Sequence, residues 1–340
     1  MLPPAALEIP PTTVLLPVRN EEENLAACAG TLLAQSGGPP IRIIDDGSSD
    51  RTPAILAGIA DQQPRVTALV ARPLAAGWGG KVNALETGFA SVSTPWVLLT
   101  DADTRHAPEL LARAHAAAAE HRLDALSLSG TQRTVGPGES LLTPAAYALL
   151  DRMLGDWRPY ARGESPTPIA NGQYFLLKAR ALRESGGFEA IAGDALDDVA
   201  LAQRLHAAGF KVGFRRAGAD LEIRMYRGGR ATFRGWRRIL ALFVAARPAA
   251  TLVAIALPLV TLATLLLAIG FRRPAAFAAC WLGGAMASAL SRKGSGNSAL
   301  PAAFFPLDVL LLAVTLSLAA IDRKRGRAES WRGREIRIRR

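Results

Sequence analysis

Two carboxylates, Asp101 and Asp103, stand one residue apart after the apolar segment "WVLLT". Neighbouring acids at the end of a buried segment repel each other unless a cation or hydrogen-bond donors compensate their charge. Mg²⁺ and similar divalent cations are commonly held by one or two carboxylates, while phosphate oxygens of a substrate complete the coordination. The pair therefore predicts a site for a divalent metal, Mn²⁺ or Mg²⁺, together with a phosphate ester.

Two other acidic pairs occur at comparable positions. Asp45 and Asp46 follow the apolar run "IRII", and Asp197 and Asp198 open the helical pattern "DDVALAQRLHAAGF". A single acid after a strand is usually a turn former, but two acidic strand ends in one sheet favour a ligand site. Asp197 and Asp198 could complement a helix dipole or supply a general base, and the residues alone leave both interpretations open.

The sequence lacks other common motifs for binding phosphate or metal ions. "GWGGKVN" is no phosphate-binding loop, because Ala75 and Val82 stand where that motif needs Gly and Ser or Thr. The chain has no HExxH pair and no cluster of Cys and His, so no zinc site is expected. The four histidines are predicted to lie on the surface or on helices: His106, His115, His121 and His206.

Strand-like and helix-like segments alternate in the part of the chain that contains the pair Asp45 and Asp46 and the pair Asp101 and Asp103. Each short apolar run is followed by a segment with apolar residues at helical spacing, and Asp50 is a candidate N-cap of the second helix. Such alternation indicates an α/β fold with a mostly parallel sheet, in which ligands bind at the carboxyl ends of the strands. The predicted strands are 12–18, 40–45, 65–71 and 95–101, and the predicted helices are 21–35, 51–60, 80–92 and 107–121.

The net charge of +11 is unevenly distributed along the chain. Residues 1–223 hold 20 Lys and Arg against 25 Asp and Glu. The basic excess lies in 224–247, with seven Arg, and in 321–340, with nine Lys and Arg against three acids. Both segments flank apolar stretches, which favours the cytoplasmic face of a membrane and its anionic lipids over nucleic acid as a partner.

Three apolar stretches follow the acidic region, at 249–270, 274–290 and 299–321. The first and third reach the roughly 20 residues that a membrane-spanning helix needs, whereas the middle one is short. Two or three spans are therefore predicted. Three spans would leave the basic C-terminal tail outside, against the positive-inside tendency, and Asp308 would need a protein or aqueous neighbour.

These patterns predict a multi-pass protein of the cell membrane whose catalytic domain is cytoplasmic. Cys28 and Cys280 suggest no disulfide framework, and "MLPPAALEIPP" lacks the basic and apolar regions of a signal peptide. The predicted parts are a catalytic domain over 1–223, a basic amphipathic interfacial segment over 224–248, membrane spans in 249–321 and a basic tail over 322–340. The sequence defines no oligomeric state. The apolar anchors expected on the interfacial segment are Tyr226, Phe233, Trp236, Ile239 and Leu240.

Six segments occur in the order "VLLPVRNEEENL", "IIDDGSSDRT", "GKVNAL", "LLTDADT", "NGQYFLLKARALRESGGFE" and "LDDVALAQRLHAAGFKV". Together they resemble the family 2 inverting glycosyltransferases of GT-A fold. The C-terminal apolar stretches and the late "SWRGRE" resemble, more narrowly, the membrane-bound bacterial branch that includes hopanoid-associated and carotenoid-type glycosyltransferases. The resemblance covers residues 12 to about 240, and its strength lies in the shared order of the six motifs.

The resemblance implies roles for the residues at matching positions. Asp101 and Asp103 match the family's D-x-D motif, with Asp103 as the metal ligand and Asp101 near the ribose of the donor. Asp198 matches the catalytic base, and Asp197 stands where the family often has Glu. Lys81 matches a Lys near the nucleotide phosphates. The other expected substrate-binding residues are Pro17, Arg19, Glu21, Asp45 and Asp46 around the nucleotide, and Asn171, Gly172 and Gln173 around the sugar and acceptor.

The resemblance also implies the reaction: transfer of one sugar from a nucleotide sugar, with UDP-sugars expected first, to a membrane lipid such as a hopanoid or carotenoid. Processive members carry Q-x-x-R-W after the base, whereas "MYRGGRATFRGWRRIL" contains Trp236 but no such Gln. Two alternatives stay open. The acceptor could be a polyprenyl phosphate, or the chain could be a nucleotidyltransferase on a similar sheet, although "PVRNEEEN" stands where such an enzyme usually has a basic Gly-rich loop.

Overall fold

The computed structural model describes residues 2–194, 196–246, 248–294, 299–325, 329–331 and 334–336. The chain forms two compact units. The first comprises Met1–Thr131 and Asp156–Ile223, and the second comprises Gln132–Gly155 and Arg224–Arg340. This division differs from the predicted single domain over 1–223, because residues 132–155 lie in the second unit.

The first unit is built on an eight-stranded sheet in the order β3-β2-β1-β4-β7-β6-β8-β5. Its strands are β1 (Thr12–Val18), β2 (Ile41–Asp45), β3 (Val66–Val70), β4 (Trp96–Thr100), β5 (Thr104–His106), β6 (Ala125–Gln132), β7 (Tyr174–Lys178) and β8 (Val212–Ile223). The helices up to β8 are α1 (Leu25–Leu33), α2 (Thr52–Gln62), α3 (Gly80–Phe89), α4 (Leu110–Glu120), α5 (Pro137–Leu154, in the second unit), α6 (Arg158–Arg162), α7 (Ala179–Glu184) and α8 (Asp197–Ala207), with a 3₁₀ turn at Glu189–Ile191.

Strands β3, β2, β1 and β4 are parallel neighbours, as the sequence predicts. Val14 pairs with Ile41 on one side and with Leu98 on the other, and all three side chains are fully buried. Strands covered on both faces need such continuous apolar runs. Because β2 and β4 run in the same direction, Asp45 at the end of β2 and Asp101 after β4 lie at the same edge of the sheet.

The other half of the sheet contains antiparallel pairs, and its strands β5, β6, β7 and β8 were not predicted. Strand β7 pairs with β4 and with β6, and β5 pairs with β8. Strand β5 has three residues, too few for a periodic signal to identify it in the sequence. Its pairing of Thr104 with Ile223 fixes the chain immediately after Asp103.

Three helix starts differ from the sequence predictions, and that of α4 lies at Leu110 and not at residue 107. Helix α1 begins at Leu25 and not at Glu21, because the Glu21 N–H donates to Thr52 Oγ1 at 2.7 Å and is held in the loop after β1. Helix α2 begins at Thr52 with Arg51 as its N-cap. Asp50 therefore stands one residue before the cap, where its Oδ1 atom accepts the Thr52 N–H at 2.9 Å.

Replacing Gly88 with alanine is expected to destabilise the first unit by roughly 1–3 kcal/mol, the usual cost of overpacking a core. A Cβ atom on Gly88 would lie 2.7 Å from Ile44 Cδ1 and 3.3 Å from Leu15 Cδ2, and both neighbours are fully buried. The thermal unfolding midpoint of the full chain in detergent measures this effect. Gly30→Ala is the matched control, because a Cβ on that helical glycine meets nothing within 4 Å. An unchanged midpoint for Gly88→Ala would contradict the close packing of α3 on β1 and β2.

The second unit consists mainly of long helices. After α5 come α9 (Gly229–Ala246), α10 (Pro248–Gly270), α11 (Pro274–Gly294) and α12 (Phe305–Arg325), with a 3₁₀ turn at Leu300–Phe304 and an antiparallel pair of short strands, β9 (Glu329–Trp331) and β10 (Arg334–Ile336).

Two large apolar side chains of α9, those of Trp236 and Leu240, are covered by protein. Trp236 and Leu240 are buried against Leu142 of α5 and Leu316 of α12, and Trp236 Nε1 donates to Thr143 Oγ1 at 3.2 Å. The expectation that Trp236 and Leu240 anchor an interfacial helix in lipid is therefore wrong for these two side chains. The same contacts explain why residues 132–155 belong to this unit: α5 supplies one wall of its core.

A buried ion pair also holds this unit together. Arg292 Nη2 lies 2.8 Å from Asp308 Oδ2, and Ser288 Oγ donates to the same oxygen at 2.9 Å. Arg292 donates further to the Ser140 carbonyl at 2.6 Å. Asp308 thus has the protein neighbours that its position in an apolar stretch requires.

Among the residues that the structure describes, two helical segments are long and apolar enough to cross a membrane, Thr251–Gly270 and Leu300–Arg325, and Pro274–Leu290 is a shorter apolar helix. This matches the two long stretches and the marginal middle one expected from the sequence. Of the predicted basic tail over 322–340, residues 326–328, 332–333 and 337–340 lie outside the described part of the chain, as does Arg247 in the predicted interfacial segment.

Candidate active site

Lys81 joins two of the acidic pairs. It lies in the first turn of α3, and its Nζ atom is 2.8 Å from Asp101 Oδ1 and 3.7 Å from Asp197 Oδ2. Helix α3 is held in place where the Gly79 N–H donates to the Ala192 carbonyl at 2.6 Å. The ammonium group thus lies between the end of β4 and the start of α8, two segments almost 100 residues apart in the sequence.

Burial opposes the charge on Lys81, but the surrounding carboxylates outweigh this effect. Asp101, Asp197 and Asp198 favour the ammonium form, so that the pKa of Lys81 is raised above its ordinary value. The side chain therefore carries a positive charge throughout the physiological pH range. It provides a fixed cation where a phosphate-bearing ligand would add negative charge.

Asp198 is held by two backbone amides. Gly172 N–H donates to Asp198 Oδ2 at 2.8 Å, and Val199 N–H donates to Asp198 Oδ1 at 2.8 Å. Burial and the neighbouring Asp197 raise the pKa of Asp198 to about 6, although Lys81 and the two amides oppose the shift. A carboxyl group with a pKa near neutrality is suited to accept a proton during a reaction.

The segment from Asn171 to Gln173 forms a compact turn beside this acid. Asn171 Nδ2 donates to Gln173 Oε1 at 2.8 Å, and the Gln173 N–H donates to Asn171 Oδ1 at 3.1 Å. The Asn171 backbone exchanges two hydrogen bonds with Ser127 Oγ. The turn presents the Gly172 amide to Asp198 because both of its neighbours are fixed by these contacts.

A cavity beside the Lys81 ammonium is lined by charged and apolar groups together. Its charged lining is Lys81, Asp197 and Asp198, and its other lining residues are Leu85, Leu99, Gly172, Phe175, Phe188, Ile191 and Leu201. The apolar walls lower the local dielectric constant, which strengthens interactions between charges at the polar end.

The residues expected around the nucleotide base and ribose form a second cluster, in the loops after β1 and β2. Asp45 and Asp46 are buried; Asp45 accepts hydrogen bonds from the backbone N–H and the hydroxyl of Ser48. Arg19 Nη1 donates to the Asp46 carbonyl and lies 4.0 Å from Asp46 Oδ2.

Two further residues of the predicted set lie at the end of β1 or just after it. Glu21 Oε2 accepts a hydrogen bond from Asn24 Nδ2 at 2.8 Å, and the Glu21 backbone N–H donates to Thr52 Oγ1 at the start of α2. Pro17 is half-buried in β1, paired with Ile44. These contacts join the loops after β1 and β2 at the carboxyl edge of the parallel strands.

Several buried polar side chains next to Asp101 form a cluster that was not predicted from the sequence. Thr104 Oγ1 donates to the Asp101 carbonyl at 2.7 Å and lies 2.9 Å from His106 Nε2. Thr100 Oγ1 donates to the Gln173 carbonyl at 2.8 Å, which ties β4 to the turn before β7. Burial lowers the pKa of His106 to about 3, so its ring is neutral.

The expected position on the surface or on a helix is wrong for His106, which is buried on β5, and right for His115. His115 lies on α4, as its helical pattern suggests, but it is buried and its Nε2 atom is 2.8 Å from Thr12 Oγ1. His106 follows the half-buried Arg105 on β5, and an alternation over three residues is too short to predict a strand from the sequence.

The carboxylates of this site can coordinate a divalent metal only if a substrate supplies further ligands. Within the described ranges, no three His, Cys, Asp or Glu side chains form a group that could hold a metal ion. Asp103 is half-buried two residues beyond Asp101, and Asp101 already contacts Lys81. One or two carboxylates plus phosphate oxygens are a usual arrangement for Mg²⁺, and this is the arrangement that these residues can provide.

The sequence and the fold are both similar to those of known proteins. The model of Glycosyl transferase family 2 matches residues 13–184, half of the chain. Over 138 residues the chain is 33% identical to the succinoglycan biosynthesis protein ExoO of Rhizobium meliloti (strain 1021). That alignment covers 38% of this chain and 38% of the relative, so the chain matches well under half of that protein.

A solved structure supports the fold over nearly the whole chain. The mannosyltransferase PcManGT from Pyrobaculum calidifontis, in complex with GDP-Man and Mn²⁺, is similar with a TM-score of 0.55 and 20% identity. The similarity covers 95% of this chain and 89% of that one. The predicted fold class is confirmed, and so is the family resemblance seen in the six motifs. The chain belongs to glycosyl transferase family 2, a family of sugar-transferring enzymes, and has the GT-A fold.

Proposed function

We propose that this chain transfers one sugar from a nucleotide-sugar donor, in the first place a UDP-sugar, to a membrane lipid, with inversion at the anomeric carbon. The observation that carries the proposal is the group formed by Lys81, Asp101, Asp197 and Asp198. A fixed cation, an acid at a strand end and an acid of raised pKa lie within one small volume. Diphosphate binding and proton removal need these residue types side by side.

Asp198 is the proposed general base. Its carboxylate accepts the proton of an acceptor hydroxyl as the acceptor oxygen bonds to the anomeric carbon and the bond from that carbon to the diphosphate oxygen breaks. The nucleoside diphosphate leaves with the bonding electron pair. Attack opposite the leaving group inverts the configuration, and no covalent intermediate with the protein is formed. The amides of Gly172 and Val199 keep the carboxylate oriented during this step.

The donor is proposed to lie along the carboxyl edge of the parallel strands. Asp45 and Asp46, with Pro17, Arg19 and Glu21, are assigned to the base and ribose, and Lys81 to the phosphates. Asp101 is assigned to the ribose, and Asp103 would hold a divalent ion, Mn²⁺ or Mg²⁺, which when bound neutralises negative charge on the diphosphate. Asn171, Gly172 and Gln173 are assigned to the sugar and acceptor.

The lipid acceptor and the membrane location are proposed from the second unit. Two of its helical segments have the length and composition of membrane spans. Large apolar side chains of α10 are exposed, among them Leu252, Val253 and Val260. The basic segments beside these helices favour a cytoplasmic catalytic domain in a multi-pass protein. The acceptor is proposed to be a hopanoid or carotenoid, and polyprenyl phosphate is the alternative.

The test is a transfer assay with the purified full chain in detergent. Sugar-labelled UDP-glucose, UDP-N-acetylglucosamine and GDP-mannose are supplied separately with Mn²⁺ and a native lipid extract. Label should enter the organic phase with one of these donors and should require the lipid extract. Mass spectrometry of the labelled product distinguishes a hopanoid or carotenoid from a polyprenyl phosphate. Transfer of a nucleotidyl group in place of the sugar would overturn the proposal.

Activity is expected to rise with pH through about 6, because Asp198 acts only as a carboxylate and its pKa is raised to about 6. The acid limb of kcat/KM against pH should therefore have an apparent pKa near that value, with a plateau above it. Asp197→Asn should move the limb to lower pH, because it removes a negative charge that disfavours ionised Asp198. An acid limb at the ordinary carboxyl pKa, unmoved by Asp197→Asn, would contradict the assignment.

A further inference from the structure

Gly172 contacts both the proposed base and the cation beside it. Its N–H donates to Asp198 Oδ2 at 2.8 Å. A Cβ atom built on Gly172 would lie only 2.6 Å from Lys81 Nζ, and 3.6 Å from Asp198 Oδ2. The ammonium group therefore occupies the space that a side chain at position 172 would take.

The rest of the group depends on where this ammonium lies. Lys81 Nζ contacts Asp101 on one side and Asp197 on the other. The charged groups around Asp198 are Lys81 from α3, Asp197 from α8 and, through Lys81, Asp101 after β4. Displacing the Lys81 ammonium would remove the cation that the carboxylates of Asp101, Asp197 and Asp198 share.

We propose that Gly172 is a positioning residue of the transfer reaction: its amide orients Asp198, and its lack of a side chain admits the Lys81 ammonium to the Asp197–Asp198 pair. The inference rests on the proposed function, since it assigns this role within the same site. A methyl group at position 172 pushes the flexible end of Lys81 away and leaves the backbone amide in place. Alanine is tolerated by the backbone there, because the φ angle of Gly172 is outside the left-handed region.

The first measurement uses no substrate. The pKa of Asp198 is measured by ¹³C NMR titration of the ligand-free full chain in detergent. The signal of its carboxyl carbon is identified as the one that disappears in Asp198→Asn. In the wild-type chain it should titrate near 6. In Gly172→Ala the midpoint should rise by about half a unit or more, because a nearby cation stabilises the carboxylate. Lys81→Met should raise it as well.

A double variant then tests whether the effect passes through Lys81. In the Lys81→Met background, Gly172→Ala should cause no further rise, because the two changes remove the same interaction. Additive shifts, or no shift in Gly172→Ala alone, would overturn the proposal. Gly30→Ala, where a new Cβ meets nothing within 4 Å, is the control and should leave the midpoint unchanged.

Activity gives the second readout. Gly172→Ala should lower kcat by roughly 10- to 100-fold, the size of loss expected from small misplacement of reacting groups. The acid limb of its pH profile should move upward with the NMR midpoint. If the NMR shifts occur but no donor supports transfer, the proposed function fails and with it the role of Gly172 in transfer, and only its effect on the contact between Lys81 and Asp198 stands. If transfer occurs and Gly172→Ala retains full kcat with an unmoved acid limb, the positioning role fails alone.

Discussion

Replacing Asp198 with asparagine is expected to reduce sugar transfer by roughly 1,000-fold, within the range typical of losing a general base. Asparagine keeps the shape of the side chain, and its amide oxygen can still accept one of the hydrogen bonds now made by Gly172 and Val199. It cannot take up the acceptor proton. The loss should therefore appear in kcat, while the affinity for the donor changes little, as measured by initial rates and by calorimetric titration with UDP and Mn²⁺.

Asp197→Asn is the matched control for this prediction. It removes the adjacent carboxylate, which is similarly exposed and contacts Lys81. Its effect on kcat should be far smaller than that of Asp198→Asn, because it leaves the proposed base in place. Equal losses in the two variants, or a loss of less than tenfold in Asp198→Asn, would remove Asp198 from the role of base.

Replacing Asp103 with asparagine is expected to weaken Mn²⁺-dependent binding of UDP by about 100-fold, which corresponds to a loss of about 2.8 kcal/mol in binding free energy. Binding of UDP without metal should change much less, since Lys81 and the loops after β1 and β2 are retained. Calorimetric titration of each variant, with Mn²⁺ and with chelator, separates the two contributions.

Glu109→Gln is the control for Asp103→Asn. Glu109 is an exposed acid in the segment that follows the same strand end, so its loss changes the charge equally without touching the site. It should bind UDP as the wild-type chain does in both conditions. Unchanged metal dependence in Asp103→Asn would show that the ion, if one binds, is held by other residues.

The parallel half of the fold was predictable from the sequence because each of its strands is buried on both faces. Such strands appear as continuous apolar runs, and the acids that follow them mark the ligand-binding edge. Asp45 and Asp101 could be placed at that edge without a structure. The connection of Lys81 to both Asp101 and Asp197 could not, because it depends on how α3 and α8 approach each other in space.

The antiparallel half and the second unit were harder to predict for physical reasons. Strand β5 is too short to show a period, and its buried residue His106 is made neutral by its surroundings. The amphipathic pattern of α9 indicates a covered apolar side but does not say whether lipid or protein covers it. Trp236 packs against α5 and α12, which lie about 90 and 80 residues away in the sequence.

The anomeric configuration of the product tests the central claim most directly. Wild-type protein is incubated with the donor that supports transfer, whose sugar is α-linked to the diphosphate, and the purified glycolipid is examined by ¹H NMR. A single displacement assisted by Asp198 predicts a β-glycoside, visible as a large coupling constant at the anomeric proton of a gluco-configured sugar. An α-glycoside would contradict the account, because retention requires a mechanism other than in-line attack with one base.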